Sequence, residues 1–195
     1  MSAFTSPPDP SASSGLPAGA AEPVPSAVLV PLYRDESGTR LVLTRRRTDL
    51  RRHAGEISFP GGRRDETDRD LAHTAVREAE EEIGLRPGDV TLIGELPSTS
   101  TFVTNYLIHP FVATIPTGVA WTLSPREVDA VLELPLADVG AGRTITTLTR
   151  RGFTFQTDAY VVGENLIWGA TARIIEHLLA RLTDRPDEPL AIAAD

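Results

Sequence analysis

The sequence predicts an α/β or α+β layered sandwich, and three observations indicate it. Several runs rich in β-branched and aliphatic residues are bounded by polar turns, a pattern typical of strands. Two other segments carry apolar residues at helical spacing. The length of 195 residues suits one domain with a sizeable core. Helices that pack on the faces of a sheet give a layered architecture.

The first third of the chain predicts two strands, a short third strand and a glycine loop. SAVLVPLY and TRLVLTRRR flank the polar turn DESG, which indicates strand, turn and strand. GEISF has a short strand pattern before Pro60. Gly61 and Gly62 follow, and we expect them to form a loop that leads into the first helix.

The first helix is predicted to begin near Asp68 or Asp70, because either side chain can cap it. The segment RPGD ends it. Residues that recur every four positions form its buried stripe: Leu71, Ala75, Ala79 and Ile83.

The second half of the chain predicts further strands and a closing helix. VTLIGEL and YLIHPFVATI are strand-like, and another strand is expected around Val128–Leu134, between Pro125 and Pro135. RTITTLT and FTFQTDAYVV predict a hairpin that turns near Arg151 and Gly152. LIWGATARIIEHLLARL predicts an amphipathic helix. Its apolar stripe comprises Ala172, Ile175, Leu178, Leu179 and Leu182.

Composition divides the chain into one domain and two tails. Residues 1–25 are rich in Pro, Ala and Ser and bury too little surface to offset ordering entropy, so we expect a disordered tail. Residues 26–183 form the single domain, and residues 184–195 predict a flexible tail. No secretory signal is recognisable, and no apolar run approaches the roughly 20 residues that span a bilayer. We therefore expect a cytoplasmic protein.

The residue inventory excludes several classes of function. The absence of cysteine excludes thiolate nucleophiles and cysteine-bound zinc. A formal net charge of −8 argues against general nucleic-acid binding. We expect a small-molecule ligand, no nucleic acid and no membrane as partner, and either a monomer or a homodimer.

A dense carboxylate cluster lies at the end of the first helix. Glu78, Glu80, Glu81 and Glu82 are followed by Gly84, which can close the helix. Like charges four residues apart repel by roughly 0.2–0.5 kcal/mol per pair. Since Glu81 and Glu82 lie three and four positions after Glu78, the three side chains can point into one sector and hold a hard divalent cation.

The stretch from Phe59 to Leu85 resembles the Nudix box, whose pattern is G-x5-E-x7-R-E-U-x-E-E-x-G-U, with U an aliphatic residue. The second half, from Arg77 to Leu85, matches residue for residue. With Gly62 as the first glycine, the box covers 62–85 and Asp68 replaces the first glutamate. Eight residues rather than seven then separate Asp68 from Arg77.

The segment just upstream resembles the coenzyme A pyrophosphatase branch of that family, whose pattern is L-L-T-x-R-S-x3-R-x3-G-x3-F-P-G-G. Val42 and Arg47 depart from this pattern. The matching residues are Leu43, Thr44, Arg46, Arg51, Gly55, Phe59, Pro60, Gly61 and Gly62. The lengthened box and the closing IWGATAR also resemble that branch.

The resemblance implies an α/β/α sandwich with a mixed central sheet and a metal-binding loop-helix-loop. It implies a Mg²⁺- or Mn²⁺-dependent hydrolase that cleaves coenzyme A, or its acyl or oxidised forms, to adenosine 3′,5′-bisphosphate and a 4′-phosphopantetheine species. Two alternatives stay open. One is a Nudix hydrolase of another nucleoside diphosphate derivative, such as ADP-ribose, a dinucleotide or a nucleoside triphosphate. The other is a non-catalytic Nudix ligand sensor.

Within this resemblance the box residues take catalytic roles. Glu78 and Glu82 are expected as direct metal ligands, and Glu81 as a further ligand through water or as the activator of the attacking water. Arg77 is expected to orient the cluster by ion pairing. The carbonyl of Gly62 can complete the metal shell, since glycine lets the backbone approach closely.

Substrate contacts are expected from the segment before the box. Arginine binds phosphate bidentately, so we expect Arg46 and Arg51 to contact phosphate, the alternative being surface solubility and salt bridges. The full set of expected substrate-binding residues is Arg46, Arg51, His53, Gly55, Gly61 and Gly62. The sequence leaves the roles of Arg45, Arg47 and Arg52 open. It also leaves open a further ligand among Glu56, Glu127, Glu133 and Glu164, and a stacking or a core role for Phe59 and Trp168. We expect His109 to lie in the core.

Overall fold

Eleven strands and three α-helices lie in the part of the chain that the structure, a computed structural model, describes: residues 22–49, 55–101, 105–150 and 152–184. The first strands are β1 (Val24–Asp35), β2 (Gly38–Arg46), β3 (Ile57–Ser58), β4 (Gly61–Arg63), β5 (Thr91–Glu95) and β6 (Thr99–Ser100). The others are β7 (Tyr106–Thr114), β8 (Val128–Pro135), β9 (Arg143–Arg150), β10 (Phe153–Val162) and β11 (Asn165–Trp168). The helices are α1 (Leu71–Ile83), α2 (Leu136–Ala141) and α3 (Gly169–Asp184).

The predicted division into a domain of residues 26–183 and two tails stays a prediction. β1 begins at Val24, two residues before the expected start at Ser26, and α3 extends to Asp184. The rest of both predicted tails, residues 1–21 and 185–195, lies outside the described residues.

The central sheet is mixed, as predicted. β1 runs parallel to β7 and antiparallel to both β2 and β4. β2 also pairs with β3 and β8, and β7 pairs with β5 and β6. β1 therefore lies at the centre of the domain.

Both faces of this sheet are covered, which confirms the sandwich. On β1, Ala27 and Leu29 pack in one apolar cluster with residues of α1. Val30 and Leu32 point to the other face and pack with residues of α3. A strand that is buried on both faces reads as a continuous apolar run instead of an alternating one, which explains SAVLVPLY.

The predicted β9–β10 hairpin is present and forms a separate three-stranded antiparallel sheet with β11. The start of the closing helix was predicted wrongly. Residues 166–168 belong to β11, because Trp168 and Ile167 pair with Ala159 and Tyr160 of β10. α3 begins at Gly169, and of its expected stripe Leu182 is exposed.

The two box glycines lie in strand β4 and not in the loop that we expected. Ala27 and Val28 of β1 pair with Gly62 and Gly61. A Cβ on Gly61 would lie 2.6 Å from the Val28 Cα, and a Cβ on Gly62 would overlap the carboxylate of Glu78. Glycine is thus needed because sheet and helix close in on this backbone from two sides.

α2 was not predicted; its six residues directly follow Pro135, the last residue of β8. In the described residues, no helix is both long enough and apolar enough to cross a bilayer.

Candidate active site

Helix α1 presents the box carboxylates, and its ends and its buried stripe fix its orientation. Asp70 caps the helix by accepting a hydrogen bond from the His73 amide at 2.7 Å. Gly84 closes it in the left-handed conformation, with φ of +71°. The predicted stripe is confirmed at Ala75, Ala79 and Ile83, which are fully buried, whereas Leu71 is half-buried.

Arg77 is the centre of the polar face of α1. Its Nε and Nη2 each donate to one carboxylate oxygen of Asp68 at 2.9 Å, a bidentate pair. Its Nη1 donates to Glu78 Oε1 at 3.0 Å and to Glu81 Oε2 at 3.2 Å. Ion pairing inside the cluster, expected from the sequence, is therefore present. One oxygen each of Glu78 and Glu81 bonds to Arg77, and the second oxygen of each does not.

Asp68 is a buried anchor for Arg77. Besides the guanidinium, its carboxylate accepts hydrogen bonds from the Asp65 amide and the Thr74 hydroxyl and bonds to His73 Nδ1, each at 2.9 Å. The hydrogen bonds from Arg77 hold the pKa of Asp68 far below its usual range. The same contacts raise the pKa of Arg77. Sequence reasoning missed this role; the only signal was the position of Asp68 in the box pattern.

Glu82 is the most buried glutamate of the box, with 4% of the residue exposed. Its Oε2 accepts a hydrogen bond from the Gly61 amide at 3.3 Å, and its Oε1 lies 3.9 Å from Nη1 of Arg46. Burial raises the pKa of Glu82 to about 8 against the opposing charge of Arg46, and Glu78 and Glu127 raise it further. Burial also raises the pKa of Glu78.

The other predicted site residues lie in different places. Arg46, Gly61 and Gly62 lie against the box carboxylates, and the charge of Glu127 acts on Glu78 and Glu82. A cavity elsewhere is lined by Gly55, Glu56, Glu164 and Trp168, among others. The predicted contacts Arg51 and His53 lie outside the described residues.

Three further candidates lie away from the carboxylates. Glu133 interacts with Tyr33, and its carboxylate contributes to the raised pKa of that phenol. His109 is not a plain core residue, because its Nδ1 pairs with Glu95 Oε1 at 3.0 Å. Phe59 is in the core, with 3% exposed.

Two solved structures of Nudix proteins are similar to this chain in fold. A MutT/nudix family protein from Enterococcus faecalis aligns with a TM-score of 0.61 and 16% identity over 90% of this chain and 68% of its own. The NUDIX domain of Shewanella oneidensis NrtR, solved in complex with ADP-ribose, aligns with a TM-score of 0.56 and 17% identity over 87% and 94%. At these identities the likeness shows a Nudix fold and no more.

Sequence similarity then shows the family. The NUDIX domain model matches residues 13–153. An uncharacterized Nudix hydrolase, NudL, of Escherichia coli strain SMS-3-5 is 39% identical over 163 residues, which cover 83% of this chain and 84% of NudL. NudL of Shigella boydii serotype 18 shows the same identity and coverage. The chain belongs to the Nudix family and is a hydrolase of phosphoanhydride bonds.

Nudix hydrolases generally need divalent metal ions, and the carboxylates described above suit one. Among the described residues, no three acidic or histidine side chains converge as a ready metal site, because Glu78 and Glu81 turn to Arg77. The donor set nevertheless fits a hard cation. Burial is the main cause of the raised pKa of Glu82, and the negative charges of Glu78 and Glu127 raise it further. A divalent ion would offset these charges.

Metal-free protein is expected to lose stability as pH rises. The folded pKa of Glu82, about 8, lies above its ordinary value of 4.5, so its contribution is fully present below pH 4.5 and is lost as pH rises through 8. Melting temperatures in a chelator, between about pH 5 and pH 9, test this dependence. Mg²⁺ or Mn²⁺ should raise the melting temperature more at the alkaline end, because a carboxylate ligand must be ionised.

Glu82→Gln is the control, because it removes the titrating group and should flatten the dependence. Identical pH profiles for the wild type and this variant would contradict the assignment of the raised pKa to Glu82.

Proposed function

We propose that this protein is a Mg²⁺- or Mn²⁺-dependent pyrophosphohydrolase of coenzyme A, or of its acyl or oxidised forms. The products are adenosine 3′,5′-bisphosphate and a 4′-phosphopantetheine species. The observation that carries the proposal is the segment from Leu43 to Gly62, which resembles the coenzyme A branch and from which Arg46, Gly61 and Gly62 lie against the box carboxylates. Arg46 of that segment lies 3.9 Å from Glu82.

Arg46 is suited to bind the phosphates of the substrate. Its Nε is buried and has no hydrogen-bond partner among the described residues. An unpaired buried donor costs about 1–3 kcal/mol, and a phosphate oxygen that accepted this hydrogen bond would remove the cost. Arg46 therefore supports a polyanionic ligand next to Glu82.

The carboxylates divide the remaining work. Glu78 and Glu82 would hold the metal, which when bound offsets phosphate charge and makes coordinated water more acidic. Glu81 has an exposed side chain, 60% accessible, from which it can ligate through water or accept a proton from the attacking water. Arg77 fixes one oxygen of Glu78 and one of Glu81, so both side chains are oriented before substrate arrives.

The reaction is a hydrolytic displacement at phosphorus. The water oxygen forms a new bond to one phosphorus, and the bond from that phosphorus to the bridging oxygen breaks. The bridging oxygen leaves on the other phosphate, and the proton from water passes to a carboxylate. Glu81 is the accessible candidate for that proton.

A substrate panel tests the proposal. We expect coenzyme A, acetyl-coenzyme A or coenzyme A disulfide to be cleaved with a kcat/KM at least about tenfold above that for ADP-ribose, diadenosine tetraphosphate and ATP, a difference of about 1.4 kcal/mol in transition-state binding. Chromatography of the products, with Mg²⁺ and with Mn²⁺, gives the measurement.

The other outcomes of the panel are informative. No cleavage of any coenzyme A form at micromolar enzyme would refute the substrate assignment. Preferred cleavage of ADP-ribose or a dinucleotide would establish the rival Nudix hydrolase, and metal binding without turnover of any compound would establish a sensor.

A further inference from the structure

A cavity of about 380 Å³ lies between the β3 edge of the central sheet and the three-stranded sheet. Its volume falls within the roughly 300–1,000 Å³ of small-molecule sites. Arg45 and residues 55–57 line it from the central sheet, and Arg150, Leu166 and Trp168 line it from the small sheet. None of the box carboxylates is among its lining residues.

Trp168 gives the cavity an aromatic wall. The guanidinium carbon of Arg150 lies 5.3 Å from the centroid of the Trp168 ring, and the ring of Phe155 lies 6.3 Å away at a tilt of 51°. Nucleobases stack on such aromatic and guanidinium surfaces. The wall therefore favours a ligand with a flat heterocycle.

Arg45 gives the cavity an oriented cation. Its Nη2 donates to Asn165 Oδ1 at 2.6 Å, which holds the guanidinium in place. The carboxylate paired with it, Glu164, lies 3.8 Å away on a side chain that is 86% exposed. Such exposed pairs contribute little, so a phosphate can compete with Glu164 for Arg45. With Arg150, this makes two guanidinium groups for one anionic group.

The cavity and the carboxylate site meet at one strand. Arg45 and Arg46 are consecutive on β2, so their side chains project to opposite faces of the sheet. The Arg46 amide donates to the Glu56 carbonyl at 2.9 Å, and Glu56 lines the cavity. A ligand that reaches both sites passes over the sheet edge at β3, which is two residues long.

We propose that this cavity binds the adenosine 3′-phosphate end of the substrate, with Trp168 stacking on the base and Arg45 and Arg150 binding the 3′-phosphate. The assignment rests on the proposed function, because a 3′-phosphate distinguishes coenzyme A from the rival nucleotides. The pantetheine end fits less well. It has neither a ring for Trp168 nor a charge for the two guanidinium groups.

Direct binding of adenosine 3′,5′-bisphosphate, without metal, tests the site. The protein has two tryptophans, so a Trp121→Phe background reports on Trp168 alone. We expect saturable quenching of its fluorescence by the bisphosphate and binding of adenosine 5′-monophosphate at least about tenfold weaker, because a charged hydrogen-bonded contact is lost. Equal affinity for the two nucleotides, or no quenching, would overturn the proposal.

Variants supply the second test. Arg45→Gln should weaken bisphosphate binding about 10- to 100-fold and leave monophosphate binding nearly unchanged. Arg150→Gln should weaken bisphosphate binding by a similar factor. In kinetics, Arg45→Gln should raise KM for coenzyme A and not for 3′-dephospho-coenzyme A. Arg40→Gln is the matched control, since Arg40 lies on the same strand and pairs with Asp35 at 3.0 Å.

The failure of this inference can be told from the failure of the proposed function. If the enzyme cleaves coenzyme A and Arg45→Gln behaves like Arg40→Gln, the cavity assignment is wrong and the proposed function stands. If coenzyme A is not cleaved, but Arg45→Gln still weakens binding of the bisphosphate, the cavity assignment stands and the proposed reaction is wrong.

Discussion

Glu82→Gln is expected to lower kcat on the phosphoanhydride substrate on the order of 10³-fold, the size typical of losing one electrostatic or acid-base contributor. Glutamine has the same shape and keeps an oxygen for the Gly61 amide, so the loss comes from the missing charge. Steady-state rates at saturating Mg²⁺ or Mn²⁺ provide the measurement.

Folding of the Glu82→Gln variant is checked by its melting temperature. Because burial disfavours the charged carboxylate, the neutral amide should raise the stability of metal-free protein near pH 8. A loss of turnover in this variant would then not be caused by a loss of stability. Glu80→Gln is the matched control, since Glu80 is an exposed glutamate on the same helix. Activity of Glu82→Gln close to that of Glu80→Gln would refute the assignment of Glu82 as a ligand.

Local spacing predicted helix α1 well. The recurrence of apolar residues every four positions placed Ala75, Ala79 and Ile83 in the core, and the same period placed Glu78 and Glu82 on one sector. Both are properties of a helix alone, so no tertiary information was needed. The caps at Asp70 and Gly84 follow equally from short-range chemistry.

Long-range contacts were beyond reach of the sequence. The sequence predicted a loop at Gly61 and Gly62, because glycine is common in turns and loops. Only their pairing with Val28 and Ala27 makes them a strand. The sequence predicted helix for Leu166 to Trp168, although a short apolar run is equally typical of a helix and of a strand. The pairing of these residues with β10 makes them a strand.

The crowded arginines show the same limit for the site. Charge alone could not distinguish the role of Arg45 from that of Arg46, and the sequence left the role of Arg45 undecided. The pleat of β2 sends Arg46 to Glu82 and Arg45 to the cavity beside Asn165. Glu82 and Asn165 are both distant from these arginines in the sequence. The number of arginines therefore indicates affinity for phosphate, but not where on the protein the phosphate binds.

Asp68→Asn is expected to cost about 3–5 kcal/mol of stability, because it removes the buried charge that pairs bidentately with Arg77 and leaves that guanidinium with Glu78 and Glu81 alone. Melting temperature should fall by roughly 10 °C, given about 2–4 °C per kcal/mol in a domain of this size. Turnover should also drop about 10- to 100-fold, since Arg77 would no longer be held where it orients Glu78 and Glu81. Thermal unfolding and kcat give the measurements.

The pH dependence identifies the charge of Asp68 as the cause. Its folded pKa is below the ordinary 3.8, so its contribution is present above that pH and is lost as pH falls through the folded pKa. The stability gap between the wild type and Asp68→Asn should therefore be largest near neutrality and shrink in acid. Asp70→Asn is the control, because asparagine caps a helix as well as aspartate does. If Asp68→Asn and Asp70→Asn have the same melting temperature at neutral pH, Asp68 is not the anchor of Arg77.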